Sequence, residues 1–301
     1  MVTNTLGQQA VPAYVEASRP KAPVPFDGGN WGEVWDRERL KDLSVPKLGP
    51  SDWRPIPHDQ FVGMAENALE SSGFRVSDSV NYVGLSRESA KKRIPDLPKY
   101  GRFLTMFGIT HKDILPDVAG ISWEMALVQS CDMSIALGGL FGKRVQVCSN
   151  GMFNADYSFR RKHTKGVDPS NMGEFTPVDD LLKNMIANVQ QCAELEVTRM
   201  NKYKETECTQ DDARFLIIEA VKNGVIAKAH VLDVLEHFNN PEHVEFKEDN
   251  VWSLENAFTS FGRGRSLFDQ GQKMSNLTKI IDQRFYSEEA EDKSTQLATT
   301  F

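Results

Sequence analysis

The chain is poor in cysteine, and its four cysteines, Cys131, Cys148, Cys192 and Cys208, fall into no chemical pattern. No pair has CxxC spacing, and no Cys–His group has the spacing of a zinc site. Scattered cysteines behind no secretion signal predict reduced thiols in a cytosolic protein. No run of about 18 apolar residues is present, which argues against a membrane span. Positive charge is also short. The 35 Lys and Arg stand against 42 Asp and Glu, for a formal net charge of −7 and a pI of about 5.5. A dedicated duplex-DNA binder is usually basic over its binding domain, so this balance argues against one. It leaves room for a local basic groove, because an acidic tail (SEEAEDK, from Ser287) supplies part of the deficit.

Familiar catalytic signatures are missing too. The glycine-rich GGLFG at 138–142 lacks the Lys-Ser/Thr ending of a phosphate-binding loop and reads as lying between strands, so its glycines point to a tight turn or bulge. Cys148 and His163 have no third orienting group, which leaves them short of a nucleophile–base pair. The gaps between His230, His237 and His243 do not match the i, i+4 pattern of a helical metal site. The expectation is therefore no catalytic residue set, no metal and no cofactor. No internal repeat is visible.

What is there suits a globular protein: 301 residues, 40% hydrophobic and 9% aromatic. Residues 1–25 carry four prolines and little pattern and read as a mobile arm; 26–286 read as a single domain, β-rich over 74–165 and helical over 176–286; 287–301 read as a disordered acidic tail. Trp31, Trp35 and Trp53 follow the arm in Pro/Gly-rich sequence, either anchoring it on the core or offering a stacking surface. A first helix is expected over 59–72, stopped by Gly73. Strands are expected at 74–79, 80–85, 102–109, 122–130 and 143–148, several of them alternating as half-buried antiparallel strands do. Thr176-Pro177 opens a helix whose stripe runs from Val178 to Ala193 and extends through the polar stretch to Glu207. Thr209 with Asp212 reads as a capping-box variant for the next helix, closed by Asn223-Gly224. Val231, Leu235 and Phe238 mark another, and Ser253 is expected to cap a last core helix. The order predicts an α+β fold: an antiparallel β-meander packed on helices, with a mainly helical C-terminal half.

The basic content is concentrated in one place. After the turn Ser149-Asn150-Gly151, an extended stretch ends in Arg160, Arg161, Lys162, His163, Thr164 and Lys165. Such a cluster in an acidic chain makes a local anion-binding surface. Lys143, Arg144 and the loop cluster Lys91, Lys92, Arg93 are expected to share it, with Tyr157 and Phe159 available for stacking. The alternative is an exposed strand end whose cations pair with local acids. A short Arg/Gly segment, Phe261-Gly262-Arg263-Gly264-Arg265, reads equally as a strand contact or a helix end.

Five segments occur in a familiar order: VQSCDMSIALGGLFGKRVQVCSNGMF, FRRKHTKG, YKETECTQDDARFLIIEAVKNGVI, NNPEHVEF and VWSLENAFTS. Together they resemble the phage/plasmid-like protein family, domain of unknown function 932, over roughly residues 50–270. Where many members of that family carry Asn-Ser-His-Asp, this chain has Gln129-Ser130-Cys131-Asp132. The resemblance implies a bacteriophage or mobile-element origin and a location in the host bacterial cytoplasm. At the level of layout alone, the chain is also similar to Rad52-like single-strand annealing proteins, whose rings hold single-stranded DNA in a basic groove beside β-hairpins. The leading expectation is a DNA-metabolism protein that binds single-stranded nucleic acid, acting as a homo-oligomer that promotes annealing in recombination. Two alternatives stand beside it: a host-takeover or anti-defence protein that binds a bacterial protein, and an enzyme acting on nucleotides or nucleic acid.

Overall fold

The structure, a computed structural model, describes residues 32–47, 49, 53, 55–77, 79–145, 151–161, 177–259 and 267–286. The expected arm and tail, Trp31, Cys148, the Thr176 cap and the 261–265 segment lie outside these residues.

An antiparallel sheet of seven strands is built from β1 (Glu33–Trp35), β2 (Arg75–Val76), β3 (Val80–Leu85), β4 (Tyr100–Thr110), β5 (Ile121–Ser130), β6 (Leu137–Val145) and β7 (Gly151–Arg161). The strand order is β1-β3-β4-β5-β6-β7, with β2 pairing the far end of β4. Among the described residues eight α-helices accompany it: α1 (Arg37–Lys41), α2 (His58–Ser71), α3 (Pro177–Ala187), α4 (Val189–Glu205), α5 (Gln210–Lys222), α6 (Val231–Asn239), α7 (Val251–Thr259) and α8 (Leu267–Phe285). The fold is α+β, as the pattern predicts, with a mostly helical C-terminal half.

Helix ends follow the local chemistry. Gly73 takes φ +84°, which a side chain resists, and closes α2 with a double bond pattern: the Phe74 N–H donates to the Leu69 carbonyl and the Gly73 N–H to that of Glu70. Phe74 and Leu69 then share one apolar cluster. Gly224, at φ +69°, closes α5 the same way. The capping box at Thr209 and Asp212 is present as expected. The expected cap at Ser253 falls elsewhere. Asn250 accepts the Ser253 N–H at 2.9 Å, and Ser253 is buried inside α7.

The sheet has one helical face. Phe107, Met125, Leu127 and Phe141 meet Phe61, Ala65 and Leu69 of α2, Leu182 and Ile186 of α3, and Ala193 of α4. Burying one such Leu or Phe contributes about 1.5–3 kcal/mol before entropy is charged. Tyr82, Leu104, Met106, Ala126, Val128 and Leu140 point the other way and form a smaller cluster, joined among the described residues by Val80 and Ile135. GGLFG lies inside β6, not between strands, and its register shifts between Leu140 and Gly142. Those glycines therefore serve a bulge and a close approach: a Cβ on Gly139 would sit 2.6 Å from the Phe159 ring.

The helical half has its own core around α7, every residue of which is buried. α8 packs along β7, the edge strand, and its buried positions include Gly271, Ser275 and Thr278.

Candidate functional site

The structure places seven of the ten expected basic residues. In this meander the C-terminal ends of β3, β5 and β7 and the N-terminal ends of β4 and β6 share one end of the sheet. Arg160 and Arg161 stand there, opposite Gly138 and Leu137, with Arg160 exposed and Arg161 half-buried. The β3–β4 connection emerges at the same end. It forms a short 3-10 turn, Glu88–Lys92, and all of Lys91, Lys92 and Arg93 are exposed. Ala90 and Ile94 hold the turn down by packing with Leu97, Trp53 and Cys131.

Residues 87–99 carry five cations, Arg87, Lys91, Lys92, Arg93 and Lys99, against two carboxylates, Glu88 and Asp96. Glu88 pairs with Lys91 at 2.8 Å, and Asp96 accepts the Lys47 N–H at 2.6 Å. β3 and β7 are four positions apart in the sheet, so these two strands stand about 19 Å apart at a spacing of roughly 4.8 Å per strand. Lys162, His163 and Lys165 lie outside the described residues.

Lys143 and Arg144 do not join this surface. They stand near the opposite end of β6, six and seven residues from Leu137, a distance of about 20 Å along a strand. As neighbours on a strand they point to opposite faces. Arg144 is 1% exposed and donates to the Glu124 carboxylate at 2.8 Å; Lys143 is 2% exposed and donates to Glu196 of α4 at 2.6 Å. Both are neutralised inside the protein. Tyr157 is also withdrawn, buried in the helical-face cluster, and Phe159 packs beside it. Trp35 and Trp53 are buried, as the anchoring reading requires.

The Gln129-Ser130-Cys131-Asp132 segment supports the basic turn. Asp132 accepts the Arg87 N–H at 2.7 Å through one oxygen and the Ser134 N–H at 2.9 Å through the other. The β5–β6 connection thereby grips the start of the 88–92 turn. Cys131 is buried, and burial pushes its thiol up to about 12. Gln129 donates to the Ile56 carbonyl at 3.1 Å and lies 3.0 Å from His58 Nδ1, so a histidine from α2 reaches this segment from another element. His230 is half-buried beside Asp233, and His243 lies edge-on to Phe246. Among the described residues no His/Cys/Asp/Glu group is arranged to hold a metal.

A second charged centre escaped sequence reasoning. Glu196 binds Lys143 and Arg199, Lys143 also lies 5.2 Å from the Trp252 ring, and Tyr203 donates to Asp282 at 2.8 Å. Burial pushes the Glu196 carboxyl up, but Lys143 and Arg199 outweigh it and hold it below the ordinary value. Burial dominates for Glu255 and Asp282, and both carboxyls are raised from their ordinary values. The signal was available: Glu196 interrupts the stripe Val189, Cys192, Ala193, Met200, Tyr203, and Glu255 sits in a nonpolar helix.

No family model, curated protein or solved structure matches the chain. No helix of the described residues is long and apolar enough to cross a membrane.

Proposed function

We propose that the protein binds single-stranded nucleic acid at the sheet end that carries Lys91, Lys92, Arg93, Arg160 and Arg161. The observation behind this reading is the exposed 87–99 connection, five cations against two carboxylates on a chain of net charge −7, at the same sheet end as the two arginines. Segregated positive charge on an acidic body attracts a polyanion locally and repels it elsewhere. Two narrow basic groups suit a flexible single strand better than a broad duplex face. In keeping with the family resemblance, the reading extends to a phage or mobile-element protein of DNA metabolism, working in the host cytoplasm as an oligomer that promotes annealing.

Fluorescence anisotropy with a labelled oligothymidylate tests it over a salt series. The triple variant Lys91→Ala, Lys92→Ala, Arg93→Ala should weaken binding and reduce the log–log salt slope by about 2, at roughly 0.7 per phosphate contact on a single strand. Arg160→Ala with Arg161→Ala should act in the same direction. Unchanged affinity and slope in both variants, with unchanged melting curves, would refute the assignment. Equal competition by duplex DNA would refute the single-strand preference.

A further inference from the structure

We propose that Glu255 is a proton-binding site: it holds a proton in the folded protein at neutral pH, and its ionisation at higher pH loosens helix α7 from strand β6 and helix α4. The geometry carries this. Glu255 is 3% exposed, and among the described residues its Oε2 has no hydrogen-bond partner. A buried carboxylate left unpaired is among the costliest groups a fold can contain, whereas the neutral acid is far cheaper.

The surroundings favour the neutral form. Lys143 reaches the site from β6; Glu196, Arg199 and Tyr203 come from α4; and Asp282 comes from α8. Tyr157 of β7 lies within electrostatic reach of Arg199. On the other side of α7, α6 and the 244–246 turn contribute apolar side chains, Val234, Phe238 and Phe246. The two cations are already engaged by Glu196. Lys202 acts on Asp282, and Lys204 lies 5.6 Å from the Trp252 ring. Ionising Glu255 would add a buried carboxylate beside Glu196, which already engages Lys143 and Arg199. A proton is also the occupant that fits a closed site: Lys143, Glu196, Trp252 and Glu255 are all at least nine-tenths buried. Ser253 Oγ and Asn256 Oδ1 on the same helix are also buried with no partner among the described residues, which leaves α7 sensitive to added charge.

The sign follows from linkage. A carboxyl kept protonated by the fold binds a proton that the unfolded chain releases above the ordinary glutamate range, so stability falls as pH rises through that interval. Glu255→Gln, nearly the same shape and neutral throughout, should remove this loss. Thermal melts from pH 4 to 9 at constant ionic strength should give equal Tm values near pH 4 and a Tm for Glu255→Gln that climbs above the wild type with rising pH. An infrared difference spectrum at pH 7, wild type minus Glu255→Gln, should show the carbonyl stretch of a protonated carboxylic acid. A variant that melts at or below the wild type across the range, or fails to fold, would show that the ionised form is needed as a counter-charge and overturn the proposal. Absence of the acid band would do the same. So would a wild-type Tm that rises when potassium replaces choline while that of Glu255→Gln does not, because a cation would then occupy the proton's place.

Discussion

The Glu124–Arg144 pair gives the sharpest test of how this fold uses its charge. Both side chains are 1% exposed, and the contact is 2.8 Å. An exposed ion pair contributes about 0–1 kcal/mol, so its loss is hard to detect. Removing one partner of a buried pair strands the other charge and costs about 3–5 kcal/mol. Arg144→Met should therefore destabilise by about that amount, and a chain of this size should lose on the order of 10 °C in Tm. Glu124→Gln should do the same by stranding the guanidinium. The double variant Glu124→Leu, Arg144→Met should recover most of the loss, because no charge is left behind. Urea unfolding of the four proteins, read as a double-mutant cycle, measures the coupling. Binding of a labelled single strand, measured where Arg144→Met is still folded, should match the wild type. A loss below 1 kcal/mol together with weakened binding would refute the placement and return Arg144 to the surface.

Gly139→Ala should cost about 1–3 kcal/mol by overpacking, because the new methyl would stand 2.6 Å from Phe159 and 3.2 Å from both Leu127 and Met185. Urea melts would show the loss, and Phe159→Leu in the same chain should recover part of it. Cys131, Cys192 and Cys208 are buried, and their thiols are pushed up to about 12, chiefly by burial. At pH 8 a chromogenic disulfide reagent should reach these three only as fast as the protein unfolds, and all four cysteines should react in denaturant. More than one thiol reacting promptly in the native protein would contradict this.

Local rules made much of the fold legible. β3 matches its predicted bounds, α2 is displaced by one residue, and the Thr209–Asp212 box and both glycine stops stand where the sequence places them. Two helices were obscured for opposite reasons. The stripe from Val178 to Ala193 runs through a break at Asn188, where the backbone turns without disturbing the apolar spacing. α8 was hidden because its buried positions include glycine, serine and threonine, which hydrophobic periodicity does not register. The candidate site was less legible. Sequence shows that Lys143 and Arg144 are charged and adjacent, but strand alternation sends one to α4 and the other to the opposite face. Their partners, Glu196 and Glu124, are 53 and 20 residues away. Arg160, Arg161 and the 91–93 turn share a sheet end only because of strand pairing, which no local pattern encodes.

The position of α8 bears on how copies of this protein can assemble. A bare outer strand invites neighbouring chains to extend the ladder, and here the eleven-residue β7 lies under a helix instead. Among the described residues the opposite margin is formed by β1, three residues long, and β2, two residues long. Self-association by continuing the sheet would, among the described residues, begin from these short strands, which offer little ladder to extend. Trimming the C-terminus into α8 would uncover the long strand β7 and favour pairing along it.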